Sequence, residues 1–187
     1  MAINAVIQAR AGSTRLPTKV LADLGGRPVL EWVVRAEQGA AQISTVIVAA
    51  LRMPGDDVVV DFAQSLRATV VARTTCFPAS CRHWMPAPQT LSYRLTADCP
   101  LLDPTLIDAV AGAWAAAPSH DYVSTVLVRC LPRGLDVKLV TASALRAVDR
   151  IAVGHDRVHV TSLLYSQPKP LPPAWVCVSR PSRTTYG

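Results

Sequence analysis

INAVIQARAGSTRLPTKVL, residues 3–21, decides how the rest of the chain is read. Ile3 to Ala9 form a short, nearly continuous apolar run that ends in a polar loop, the pattern of a buried strand. The loop holds Arg10, Arg15 and Lys19 with Gly12, Ser13 and Thr14 among them, and it contains no acid. It is not a Walker A loop, because GxxxxGK[ST] is absent. It still has what a polyphosphate needs: small Gly12, hydroxyl donors, and cations to spread over several oxygens. Arginine forks suit paired phosphate oxygens, whereas lysine acts as a point charge. Pro17 stiffens the loop and limits the entropy lost on binding. A phosphate site and a solvated basic loop both remain open on these residues.

Working outward, strands alternate with helices. Val29, Leu30, Val33 and Val34 recur at helical spacing, and Gly39 stops the run. STVIVAA is a second buried strand, GDDVVVDFAQSL a helix opening on two acids as its dipole prefers, and ATVVA a third strand. LSYRLTA is a strand, DPTLIDAVAGAWAAA a helix with Pro104 in its first turn, and DYVSTVLV a strand. GLDVKLVT and ASALRAVDRIA add a strand and a helix. This alternation predicts an α/β chain whose parallel sheet is covered on both faces. Ligands in such sheets sit beyond the carboxyl ends of the strands, which selects residues 10–19 and the turn after Leu95.

That turn is RLTADCPLLDP, residues 94–104. Asp98 ends an apolar strand just before a turn fixed by Pro100. An acid there can hold Mg2+, which takes one or two carboxylates plus substrate phosphates. Asp98 capping a turn is an equal alternative, and Asp103 is read as the cap of the helix from Pro104.

Composition excludes several classes. A chain of 187 residues, half of them apolar, can bury a full core and is not disordered by default. No apolar run approaches the roughly 20 residues that span a bilayer, and the first residues lack the pattern of a signal peptide, so a cytoplasmic protein without a membrane partner is expected. Five cysteines without a CxxC pair argue against a disulfide framework or a zinc knuckle, and the Cys76, Cys81 and His83 spacing matches no common zinc pattern. The net charge of +6 comes from residues 74–94 and 157–187, which carry six cations and no acid. With no recognisable module, nucleic acid is not an expected partner.

Together, VIQARAGSTRLPTKVL, LGGRPVLEWVVRA, RLTADCPLLDP, PRGLDVKL and HDRVHVTSLLY, in this order, resemble the cytidylyltransferase family of the spore coat polysaccharide biosynthesis protein F type. That family is similar to acylneuraminate and 3-deoxy-manno-octulosonate cytidylyltransferases. The match covers most of residues 3–72 and 91–168. The resemblance implies an α/β, three-layer, mostly parallel nucleotide-diphospho-sugar transferase fold of Rossmann-like type. It also implies CMP transfer from CTP to a sugar, with Mg2+, in surface polysaccharide or glycan biosynthesis. Carried over, Gln8, Ala9, Arg10, Gly12, Ser13, Thr14, Arg15 and Lys19 hold the nucleotide. Asp98 holds the metal, and Arg15, Lys19 and Asp98 form the catalytic set. Arg133, Gly134, Asp136, His159 and Thr161 lie toward the sugar, with a turn at Gly134 and a packed helix position at His159 as alternatives. A homodimer is common in such families. The expected layout is one domain over 1–168 with an irregular insert at about 74–90, and an irregular Pro-rich tail over 169–187.

The chain also departs from the family. The family usually has Gly where Thr18 stands, a Thr/Ser pair near Ala50 and Leu51, Glu near Lys138 and Glu at Val158. Its base-recognition segment is replaced by RTTCFPASCRH. Back-translation of RTTCFPASC with GC-rich codons and a change of frame reads DDVLSRVV, close to the missing words. The same operation on RPSRTTYG gives VADDLR. A reading-frame shift across about 74–93 and again near 180, followed by an early stop, is therefore expected. Two functions follow: an active cytidylyltransferase, or a catalytically dead nucleotide-binding remnant or interaction protein.

Overall fold

The computed structural model describes residues 3–13, 16–51, 53, 55–73, 91–126, 129, 131–153, 161–166 and 175–177. Among them, seven strands form one sheet: β1 (Ile3–Ala9), β2 (Ile43–Leu51), β3 (Thr69–Arg73), β4 (Leu91–Thr96), β5 (Tyr122–Ser124), β6 (Lys138–Thr141) and β7 (Trp175–Cys177). Five α-helices accompany them: α1 (Val29–Gln38), α2 (Asp57–Ser65), α3 (Pro104–Ala116), α4 (Ala142–Ile151) and α5 (Ser162–Ser166). A 3-10 turn, Lys19–Leu21, follows the first loop.

The sheet order is β3-β2-β1-β4-β6-β5-β7. β3, β2, β1 and β4 are mutually parallel, and β7 is parallel to β5. β6 runs antiparallel to both neighbours. Parallel neighbours need a crossover of a dozen or more residues, usually a helix, whereas the described residues between β5 and β6 include no helix, in keeping with antiparallel pairing. The sheet is mostly parallel, as expected, with β6 the exception that helix–strand alternation does not reveal. Trp175–Cys177, within the stretch expected to be an irregular tail, form the strand beside β5.

Alternation along each strand divides the core between two faces. Ala5, Ile7, Leu91, Tyr93, Val48 and Leu139 face α1, α2 and α3. Val6, Ile47, Tyr122 and Val140 face α4 and α5, completing three layers. On β4 this second face is polar, since Ser92 and Arg94 alternate with Leu91, Tyr93 and Leu95 and are buried with them.

Local chemistry sets the helix ends. Asp103 Oδ1 accepts from the Thr105 amide at 2.8 Å, and Pro104 follows, so Asp103 caps α3 as read from the sequence. Thr141 ends β6 and caps α4 through the Ala144 amide. Ahead of α1, Gly25 and Gly26 both have positive φ, which lets the Leu24 amide reach the Arg27 carbonyl in a tight turn. Trp32 locks that turn by donating to the Leu24 carbonyl at 2.8 Å while Arg27 stacks on its ring.

Candidate functional site

Strand order reverses on either side of β1: β2 and β3 lie to one side, β4 to the other. This is the switch point at which open α/β sheets bind ligands. The loop after β1 and the turn after β4 emerge there side by side, with the Ala97 amide donating to the Gln8 carbonyl.

Lys19 Nζ donates to Asp98 Oδ2 across this gap, although 79 residues separate them in the chain. Both side chains keep partial access to solvent. Burial pushes the Asp98 carboxyl up, but hydrogen bonds from Lys19 and Thr96 and the Lys19 charge outweigh it and hold the acid below its ordinary value of 3.8. Asp98 is therefore ionised at neutral pH. The first loop is shaped by Ala11, whose carbonyl accepts from the amides of Ser13 at 2.9 Å and Thr18 at 2.8 Å. Its amide donates to Asp56 Oδ1 at 2.6 Å. Thr18 adopts φ 54°, the left-handed region that a β-branched residue rarely enters. That geometry is the physical reason a Gly suits the position.

Of the other expected nucleotide residues, Gln8 and Ala9 end β1, Arg10 and Gly12 are exposed, and Ser13 is half-buried. Thr14 and Arg15 lie outside the described residues, as do His159, the insert at 74–90 and the last residues. On the sugar side, Arg133 is exposed beside Gly134, whose φ of 100° belongs to a turn in which the Leu135 amide meets the Pro132 carbonyl. Asp136 binds Arg129 through two parallel bonds of 2.8 and 3.1 Å. Thr161 is 1% exposed, and its carbonyl accepts from Leu164 at the start of α5.

Three residues that motif reading passed over or left without a role join this neighbourhood. Arg94 Nη2 donates to Gln8 Oε1 at 2.9 Å. Arg94 and Lys138 each adjoin the Tyr93↔Leu139 pair, the last of the β4–β6 register, and are close enough for their charges to interact. Burial pulls the Lys138 amine down, and the Arg94 charge adds to it. The third is Asp56. The signal for Arg94 was a charge inside an otherwise apolar strand; Asp56 had none, because an acid at a helix start has a local explanation.

Asp98 is the described carboxylate suited to Mg2+, and the described residues contain no group of three or more metal-ligating side chains. One ionised acid beside a cationic loop fits an ion that takes its remaining ligands from phosphates and water. A cavity of about 280 Å3 lies at the amino ends of β2 and β3, lined by Ile43, Arg67 and Thr69 among others, at the far end of the sheet.

A family model described as Cytidylyltransferase matches residues 4–176. The chain belongs to the cytidylyltransferase family. This cytidylyltransferase-family chain is 31% identical over 162 residues to a 3-deoxy-manno-octulosonate cytidylyltransferase of Acidobacterium capsulatum, a match covering 81% of this chain and 64% of that protein. A second relative of that description, from Anaeromyxobacter dehalogenans, is 31% identical over 83% of this chain and 66% of its own length. The chain thus spans just under two thirds of these two relatives. Among solved structures, a cytidylyltransferase from Leptospira borgpetersenii superposes with a TM-score of 0.80 at 23% identity, over 91% of this chain and 73% of that one. A CMP:2-keto-3-deoxy-manno-octonic acid synthetase complexed with CTP gives 0.64 at 16% identity, over 88% and 84%. At these identities the superpositions establish the fold, which is the nucleotide-sugar transferase type. No described helix is long and apolar enough to cross a membrane.

Proposed function

We propose that this chain binds CTP with Mg2+ and transfers CMP to a sugar oxygen, releasing pyrophosphate, as a step in surface polysaccharide or glycan biosynthesis. The observation that carries the reading is the meeting of Lys19 and Asp98 at the switch point between β1 and β4. An acid held ionised beside a cationic loop suits a metal-bound triphosphate.

In this reading the sugar oxygen attacks the α-phosphorus, and the bond from that phosphorus to the bridging oxygen of pyrophosphate breaks. Such transfer is mostly positioning and neutralisation of developing negative charge. Arg15 and Lys19 face the β- and γ-phosphates, with Gln8, Ala9, Arg10, Gly12, Ser13 and Thr14 around the nucleotide. Asp98 would hold Mg2+, whose charge, when bound, offsets that of the phosphate oxygens. Arg133, Gly134, Asp136, His159 and Thr161 belong to the acceptor side; Thr161, being buried, acts there by setting the start of α5.

Pyrophosphate release with CTP, Mg2+ and a panel of nonulosonate and aminosugar acceptors tests this. Turnover that Arg15→Ala abolishes is expected, and equal turnover with UTP or ATP would refute the assignment. The replaced base-recognition segment favours a second reading, nucleotide binding without turnover. A CTP-dependent melting shift with no pyrophosphate from any acceptor supports that instead.

A further inference from the structure

Asp56 stands at the amino end of α2, where an Asp side chain ordinarily accepts a hydrogen bond from the first turn of its own helix. It makes no such cap. The residue is 3% exposed, and Oδ1 receives the Ala11 amide from 45 residues away. Asp57, one residue on, supplies the negative charge that the helix dipole favours in its first turn. A desolvated carboxylate is costly unless hydrogen-bonded, so its direction toward Ala11 needs a reason beyond the helix.

The reason lies in what Ala11 holds. Its carbonyl closes the loop by accepting from Ser13 and Thr18, and the next residue, Lys19, reaches Asp98. A continuous polar chain therefore runs Asp56, Ala11, Thr18, Lys19, Asp98, crossing from β2–α2 through the loop after β1 to the end of β4. We propose that Asp56 is a positioning residue for the nucleotide loop, fixing Ala11 and through it the placement of Lys19 relative to Asp98. This rests on the loop being the CTP site. Asp56 touches neither substrate; it acts on CTP capture and leaves the acceptor's own contacts alone.

The test compares Asp56→Ala and Asp56→Asn in the full chain. Asn keeps an acceptor oxygen of the same reach, and Ala removes it. Amide hydrogen exchange at Ala11 needs no substrate: protection is expected in the parent and the Asn variant, with at least tenfold faster exchange in the Ala variant and unchanged amides in α3. In pyrophosphate release, Asp56→Ala should raise KM for CTP on the order of a hundredfold, the loss that follows a misplacement of about 1 Å. KM for the acceptor should stay put, and Asn should restore CTP capture to within a few-fold. If the Ala variant does not fold, Asp56→Glu makes the comparison, since its extra methylene displaces the loop while keeping the charge; a raised KM for CTP is expected there too. Equal KM for CTP in the parent and the Ala variant, equal loss in Asn and Ala, or an unprotected Ala11 in the parent would each overturn the role. A parent that turns over no CTP defeats the functional reading instead, and the Ala11 exchange then decides the strut by itself.

Discussion

Replacing Glu37 should stabilise the protein, by an amount that grows with pH. Glu37 lies on α1, is 0% exposed, and neither carboxyl oxygen has a hydrogen-bond partner among the described residues. Burial raises its carboxyl well above the ordinary 4.5, so the folded state keeps a proton that the unfolded chain releases. The folded protein then binds more protons than the unfolded one, and stability must fall as pH rises from 4.5 toward the folded-state value. The slope across that window is about 1.4 kcal/mol per pH unit. A buried neutral group without a partner costs about 1–3 kcal/mol in addition, whatever the pH. Glu37→Met, close in volume, removes both penalties; Glu37→Gln removes only the first. Urea unfolding between pH 4.5 and 7 separates them: Met should gain midpoint throughout, while Gln matches the parent at pH 4.5 and overtakes it above. A gain of about 2 kcal/mol corresponds to roughly 4–8 °C in a chain of this size. Parallel slopes for parent and both variants would refute the reasoning, since they would mean that the carboxyl reaches water or a partner in the fold.

Thr18→Gly should stabilise by about 0.5–1 kcal/mol in thermal melts: left-handed strain of about 1–2 kcal/mol is relieved, less the added freedom of the unfolded chain. Loss of stability would mean that the Thr18 hydroxyl bond to the Pro17 carbonyl outweighs that strain. Asp98→Asn should lower kcat/KM on the order of a hundredfold while shifting stability by less than about 1 kcal/mol, because a half-exposed ion pair contributes little to folding. What stability the pair does give is present above pH 3.8 and fades as pH falls through the depressed folded value, so acid titration of the parent should show a step that the Asn variant lacks. Lys138→Met should remove a rise of stability with pH on the alkaline side below 10.5, since the buried amine binds its proton less well in the fold than in the unfolded chain. Finally, the gene's codons over residues 74–93 should read DDVL-like words in another frame; codons that cannot do so dispose of the shift.

Much of the layout was legible in order. Apolar runs marked β1 to β4, spacing marked α1, two opening acids marked α2, and Asp103 with Pro104 marked the start of α3, because each signal is local. β6 was legible as a strand but not in its direction, which depends on its insertion between β4 and β5. Glu37 sits at a position of α1 where periodicity expects an apolar side chain, yet nothing in the sequence tells whether it is tucked inward without a partner or reaches water at the helix end. Arg94 and Lys138 become neighbours only through antiparallel register.

By itself the sequence determined the cationic loop, the acid at the end of an apolar strand and the α/β alternation, since residue type and period are properties of short segments. Tertiary structure alone decided that Lys19 meets Asp98 and that Asp56 grips Ala11. Those contacts join residues 79 and 45 positions apart, and only the strand order, which seats β1 between β2 and β4, brings them within hydrogen-bond reach.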